Sequence, residues 1–326
     1  CYWGGSSITC WMSREQLAKL ESGKNYLENY AALVGEKSPQ QYTKEMEEYN
    51  CAYQHWLKST EEVKQKDPQA SWKEIHKICG ECPWPQPVGW QSPFRPNGLH
   101  ETMIRRIAPY SLRGFLYYQG EEDVQRYADY SDMMLMLVKQ WRMDWNDWNL
   151  PFLFVQLPMY LADGEKDDSY WALQREQQYI ASMMIQNAGM ISLADCGEYD
   201  NIHPLDKKTP GERLFQLAKN LVYDKQGTIT ATAAQLFSDD GKLYVTFDHL
   251  HEKLVMQTAN GCPFEISGED NLFYPAKADV IHGNMLCISN PAVKFPSAVK
   301  YAWYNFGEAV LFTESGNPVS PFFKCV

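Results

Sequence analysis

No apolar stretch of this 326-residue chain approaches the roughly 18 to 20 residues that a bilayer-crossing helix requires, so no membrane partner is expected. The chain also lacks a Lys/Arg run or a basic patch. Its 41 acidic and 30 basic residues leave a net charge of −11, which argues against nucleic acid, whose phosphates demand clustered cations. Nine cysteines are too dispersed and too odd in number for a disulfide scaffold. Cys79-Gly-Glu-Cys82 is a lone C-x-x-C without the second pair of a zinc site or the preceding strand of a thioredoxin-like site. It reads as incidental thiols, with a local disulfide or a metal clip as the alternatives. There is no internal repeat and no low-complexity tract. The chain opens at Cys1 without an initiator Met or a signal peptide, as a processed product or truncated reading frame would, and compartment is not legible from it. Finally, no serine offers itself as a convincing nucleophile.

What is present suffices for a large globular core, since 44% of the residues are hydrophobic. Residues 13 to 78 are charged and helical. Met46, Tyr49, Tyr53 and Trp56 fall on one helix face, a stripe that could be a sugar platform but more ordinarily packs a helix against its neighbour. Ser71-Trp-Lys-Glu74 is a capping box that starts a short third helix. A Pro-rich strip from Cys82 to Pro96 then ends helical structure.

From Gly114 strands and helices alternate. Strands are expected at Gly114–Tyr118, Phe152–Leu157 and Met190–Ala194, and helices at Val124–Trp141 and Tyr170–Ile185. Thr209-Pro-Gly-Glu212 reads as a capping box with Pro at the first helical position, opening a helix with Leu214, Leu217, Ala218 and Leu221 on one face. That alternation predicts an α/β fold with a parallel sheet. After Gly227 the helical period vanishes. Short strands such as Lys242–Phe247, Leu254–Thr258, Met285–Ile288 and Val299–Tyr304 predict a small antiparallel unit.

Ligands bind open parallel sheets beyond the carboxyl ends of their strands, and two polar clusters fall there. Tyr117-Tyr-Gln119-Gly-Glu121 follows the first strand, and Asp195-Cys-Gly-Glu198-Tyr-Asp200-Asn-Ile-His203 follows the third. His203 is the candidate general base, able to take a proton from a hydroxyl nucleophile. Asp200 is the expected orienting acid, with Asn201 and Glu198 near enough to compete. Gln119 could donate to a developing oxyanion. Glu121 could orient the histidine instead of Asp200, or pair with Arg175 as a structural ion pair. Gly4 and Gly5 would let a backbone N–H approach a substrate, or simply form a tight turn. A metal held by Glu198, Asp200 and His203 is a weaker reading, because no second histidine lies nearby in sequence.

Several blocks, in order, carry a resemblance: Trp3-Gly-Gly-Ser-Ser, Arg95-Pro-Asn-Gly-Leu, Leu112-Arg-Gly-Phe-Leu-Tyr-Tyr-Gln-Gly-Glu-Glu, Trp141-Arg, Leu150-Pro-Phe-Leu-Phe-Val-Gln-Leu, Trp171-Ala-Leu-Gln-Arg-Glu-Gln and Asn201-Ile-His-Pro-Leu-Asp-Lys-Lys. Tyr274-Pro-Ala-Lys-Ala, Tyr301-Ala-Trp-Tyr and Pro318-Val-Ser-Pro-Phe extend it through the tail. Together they resemble the sialate O-acetylesterase family of SGNH-type carbohydrate esterases. The resemblance implies a serine acyl-enzyme mechanism that removes O-acetyl groups from sugars without a cofactor or metal. It puts the base on His203, the oxyanion donors on Gln119 and Gly4 or Gly5, and the nucleophile in a G-Q-S-N block upstream of the Trp3-Gly-Gly turn. The segment preceding Cys1 is therefore an expected partner. Ser6 and Ser7 stand where relatives carry Thr or a small residue and are not promoted. Where many relatives read Asn-Asp-Ile-His, this chain reads Asp200-Asn201-Ile202-His203.

The expected architecture is thus an SGNH-like, flavodoxin-like esterase body over residues 1–226, containing a helical insertion and Pro-rich return at 13–96. A small β domain would occupy residues 227–326. The expected ligand is an acetylated sugar. Arg95, Arg105 and Arg106 could meet a sialic carboxylate, acetylated xylan or mannan is the alternative substrate, and a non-catalytic sugar-binding fragment is the alternative of another class.

Overall fold

The computed structural model describes residues 1–326. The chain forms two compact units, Cys1–Tyr110 with Asp132–Trp148, and Ser111–Ser131 with Asn149–Val326.

The first unit is helical. A single turn, α1 (Arg14–Leu17), precedes α2 (Glu21–Val34), which ends at Gly35 with φ 55°. The chain restarts in α3 (Pro39–Lys66), where Ser38 caps Gln41 N–H and Pro39 occupies a first-turn position whose N–H has no intrahelical acceptor. The expected Ser71–Glu74 capping box opens α4 (Trp72–Cys79). The aromatic stripe does what packing predicts. Tyr49, Tyr53, Trp56 and Trp72 stack in series at centroid spacings of 5.8, 6.2 and 6.3 Å, and Trp56 donates its indole N–H to Gly80 O, seating α4 on α3. All nine cysteines, Cys79 and Cys82 included, are free thiols. A π-helical turn at His100–Ile104 leads into α5 (Arg105–Ile107).

The second unit is built on a parallel sheet in the order β1 (Phe115–Tyr117), β2 (Phe152–Gln156), β3 (Ala188–Ser192). Every residue of the central strand is buried, as its unbroken apolar run requires. One face sends Leu153 and Val155 against Ile191, Leu193 and Leu217. The other stacks Phe152 on Phe115, Tyr117 and Phe154. The β1–β2 connection carries α6 (Tyr130–Asp144), whose residues from Asp132 on belong to the first unit, the β2–β3 connection carries α7 (Tyr170–Met184), and α8 (Lys208–Leu221) follows β3.

Two helix starts differ from expectation. The helix expected at Val124 begins only at Tyr130. Before it, Glu121–Asp129 winds as a tighter 3-10 segment with Arg126 outside helical angles, because Gly120 at φ 147° and the buried Tyr130, held to Gln119, fix the two ends of the segment. Thr209 is likewise not the cap of α8. Asp206 Oδ1 accepts the N–H groups of both Lys208 and Thr209 at 3.0 Å, so a carboxylate starts the helix earlier and Pro210 falls within its first turn.

The last hundred residues are antiparallel strands. One sheet runs β4 (Thr232–Asp239), β5 (Lys242–Asp248), β10 (Met285–Ser289), β9 (Lys277–Ile281). A second runs β13 (Phe322–Cys325), β11 (Ala298–Tyr301), β7 (Phe264–Ser267), β8 (Tyr274–Pro275), and β6 (Leu254–Met256) pairs with β12 (Leu311–Thr313). Val245, Leu286, Ile288, Ile266, Val299 and Leu311 share one core with Met159 and Ala194, which follow β2 and β3. Asn305 fastens these strands to the loop between β2 and α7. Its carbonyl accepts Tyr160 N–H, its Oδ1 accepts Trp171 N–H, and its own N–H groups go to Asp167 and Asp168. No helix is long and apolar enough to cross a membrane.

Candidate functional site

Because β1, β2 and β3 run parallel, the loops that leave β1 and β3 rise from the same edge of the sheet. Val124 from the first loop, Leu157 after β2 and Ile202 beside His203 join one apolar cluster with Trp171, so the three loops meet.

The β1 loop is held rigidly. Gln119 Oε1 accepts from the hydroxyls of Tyr117 at 3.1 Å and Tyr130 at 3.0 Å, while its Nε2 donates to buried Asp123 at 2.6 Å. Gln178 Nε2 donates to Gln119 O and Val155 O, and its Oε1 accepts Leu157 N–H, tying the ends of β1 and β2 together. Gly120 lies at φ 147°, where a Cβ would come within 3.0 Å of Gln178 and 3.1 Å of Gln174. Replacing Gln178 with alanine is expected to cost about 1–3 kcal/mol in urea unfolding, since it leaves buried backbone groups without partners.

The His203 loop is a stapled turn. Glu198 accepts from Asn201 Nδ2 at 2.7 Å and from Leu205 N–H at 2.6 Å, bracketing the histidine, and Asn201 Oδ1 accepts His203 N–H at 3.1 Å. At Gly197 a Cβ would lie 2.0 Å from Met159 O, so the loop presses on the chain leaving β2. Arg213 of α8 forks onto Asp195 at 2.6 and 2.7 Å and also bonds Ser192 O, fixing the end of β3.

The two loops meet electrically at Lys207. Its ammonium lies 5.7 Å from the Tyr118 ring centroid. Burial raises the Glu121 carboxyl above its usual range, and Lys207 opposes that rise while Asp123 adds to it. Desolvation and Lys207 together lower His203 below its ordinary pKa, which favours the neutral imidazole. Burial lifts Cys196 to about 12, keeping that thiol protonated and poorly nucleophilic.

Of the residues singled out in the sequence, Glu121 and His203 are therefore brought to the same ammonium, and Gln119 lies buried just after β1, two residues before Glu121. Asp200, at φ 58°, gives its N–H to Leu161 O and accepts Asp163 N–H at 2.9 Å, and no hydrogen bond joins it to His203. Glu121 does not pair with Arg175. The fully buried guanidinium donates to Tyr304 O instead, and burial lowers it to about 10. Gly4, Gly5 and Arg95 belong to the first unit. There Gly5, at φ 67°, faces the Trp84 ring, and Arg95 is held by Ser92 O and by Glu101 at 2.8 Å. Ser6 and Ser7 have structural duties: Ser6 accepts the Trp11 indole N–H and donates to Trp3 O, and Ser7 caps the turn Ile8–Trp11. Sequence reasoning missed Lys207 and Gln178. Lys207 stands inside the block Asn201-Ile-His-Pro-Leu-Asp-Lys-Lys, four residues after His203.

A family profile described as carbohydrate esterase, sialic acid-specific acetylesterase, matches residues 87–219. Among curated proteins, a mouse sialate O-acetylesterase is 26% identical over 260 residues, covering 71% of this chain and 47% of the relative. The human sialate O-acetylesterase is 25% identical over 208 residues, covering 58% and 39%. This chain thus spans about half the length of the mouse relative and less of the human one. Among solved structures, a carbohydrate acetylesterase from Xanthomonas citri superposes with a TM-score of 0.65 at 32% identity, covering 69% of this chain and 53% of that one.

Proposed function

We propose that this chain, whose residues 87–219 belong to the sialic acid-specific acetylesterase family of carbohydrate esterases, carries the general base of a site that removes O-acetyl groups from sugars. The observation that supports this reading best is that the loops after β1 and β3 meet, Val124 of the first and Ile202 beside His203 packing into one cluster with Leu157 and Trp171, and that Lys207 lies 5.7 Å from the Tyr118 ring of the first loop.

The chemistry is acyl transfer in two steps. A serine hydroxyl, proposed to come from a Gly-Gln-Ser-Asn block preceding Cys1, attacks the acetyl carbonyl while His203 takes its proton. His203 returns that proton to the departing sugar oxygen, leaving acetyl-serine. Water, deprotonated by the same imidazole, then releases acetate and restores the serine. Gln119, whose carboxamide is oriented by Tyr117, Tyr130 and Asp123, is the proposed side-chain donor to the oxyanion. Glu198 and Asn201 position the base by clamping the backbone on both sides of it.

Acetate release from p-nitrophenyl acetate and from 9-O-acetylated sialic acid, by the protein together with its preceding segment, tests the proposal. A base whose pKa is lowered must lose its proton as pH rises through a midpoint below the ordinary 6.5. kcat/KM should therefore climb through that midpoint and level off above it. Lys207→Met removes one of the two causes of the lowering, so the limb should move to higher pH. A limb that stays in place in Lys207→Met would dismiss Lys207 as a cause of the lowering, and absence of acetate release would end the esterase reading.

A further inference from the structure

The first unit holds an open cleft of about 750 Å³, within the range of small-ligand sites, lined by residues for which the His203 chemistry has no use. One wall is a single face of α3, on which Thr43, Met46, Glu47 and Asn50 recur at helical spacing. Trp3, Gln91 and Thr102 reach it from the N-terminal turn, the Pro-rich return and the π-helical turn.

The walls are braced before any ligand arrives. Gly89 admits no side chain, since a Cβ there would lie 2.2 Å from the Tyr42 ring. The Tyr30 hydroxyl donates to Gly89 O at 3.0 Å, and Lys37 ties Glu45 of α3 to Val88 O.

The lining chemistry is that of a sugar site. Trp3 leaves 43% of its surface exposed, an indole face suited to the C–H face of a pyranose. Thr43, Asn50, Gln91 and Thr102 bring neutral hydroxyls and amides, partners for sugar hydroxyls. The charges disfavour an acidic ligand. Arg95 is already matched to Glu101, and Glu47 adds an exposed carboxylate on the α3 wall. We propose that this cleft binds uncharged pyranose units of an oligosaccharide, in preference to sialylated ones. The binding stands apart from the esterase reading.

Isothermal titration of the whole protein with xylotetraose as neutral probe and 3′-sialyllactose as anionic probe separates the two. Xylotetraose should bind saturably and more tightly. Trp3→Ala should weaken it roughly tenfold, as loss of an aromatic contact does, and Asn50→Ala should weaken it severalfold from an exposed position that does not threaten folding. Glu47→Gln should narrow the gap between the probes. Equal or tighter binding of sialyllactose, no saturable binding of xylotetraose, or affinities unchanged in both Trp3→Ala and Asn50→Ala would overturn the proposal. Hydrolysis of p-nitrophenyl acetate by the protein together with its proposed preceding segment reports separately on the esterase reading, which survives any of these binding outcomes if acetate is released.

Discussion

His203→Ala is expected to lower kcat/KM for acetyl-ester hydrolysis by about 10²–10⁴-fold, the range that a positioned general base contributes. The loop should survive the change. Glu198 and Asn201 clamp backbone and neighbouring groups, not the imidazole, and Ile202 supplies the apolar anchor. Circular dichroism and urea midpoints should accordingly match those of the unaltered protein, so that lost rate reports lost proton transfer. Asp200→Asn provides the contrast. That carboxylate accepts Asp163 N–H and has no bond to the imidazole, so its replacement should leave most of the rate. Equal rates in His203→Ala and the unaltered protein would dismiss the imidazole as base.

The second large effect is on stability. Phe152→Ala should destabilise the protein by about 3–5 kcal/mol, the cost of deleting a large aromatic from a closed core. Phe152 is fully buried on the central strand and packs against Phe115, Tyr117 and Phe154. Tyr117 in turn holds Gln119, so activity should fall faster than folded population near the unfolding midpoint. Leu116→Ala is the control: this edge-strand side chain points away from the core and is 65% exposed, so its loss should stay within about 0.5 kcal/mol. The comparison is made by urea midpoints at unchanged m-value. Similar shifts in the two variants would mean that the aromatic face of the sheet does not carry the core.

The α/β class could be read from the sequence because the signals were local and strong. β2 is a continuous apolar run, α7 follows one regular period, and the Ser71–Glu74 box forms as spelled out. The errors arose where two local signals competed or a distant group intervened. Thr209 satisfied the cap pattern, but Asp206 is nearer the free amides and carries a charge that suits a helix N-terminus. Val124 continued a helical period, but a glycine outside the usual backbone region and a buried tyrosine tightened the chain ahead of Tyr130. Of the proposed site, that Gln119 and Glu121 follow β1 and His203 follows β3 was legible from strand ends alone. The coupling of Glu121 and His203 through Lys207 and the support of Gln119 by Gln178 depend on which faces of α7 and the α8 start meet the loops, and periodicity within one segment carries no such information. The aromatic stripe on α3 illustrates the converse: its period was plain, but stacking on Trp72 decided its purpose.

Asn305 has an implication for how this gene can vary. One buried asparagine meets four polar groups in the stretch from Tyr160 to Trp171, and Leu161 in that stretch receives the Asp200 amide. A premature stop codon or frameshift ahead of residue 305 would orphan those groups at once and loosen a segment that lies far earlier in the chain. Truncations ahead of residue 305 should therefore be tolerated no better than lesions at the sheet itself, although the missing strands hold none of the proposed proton-transfer chemistry.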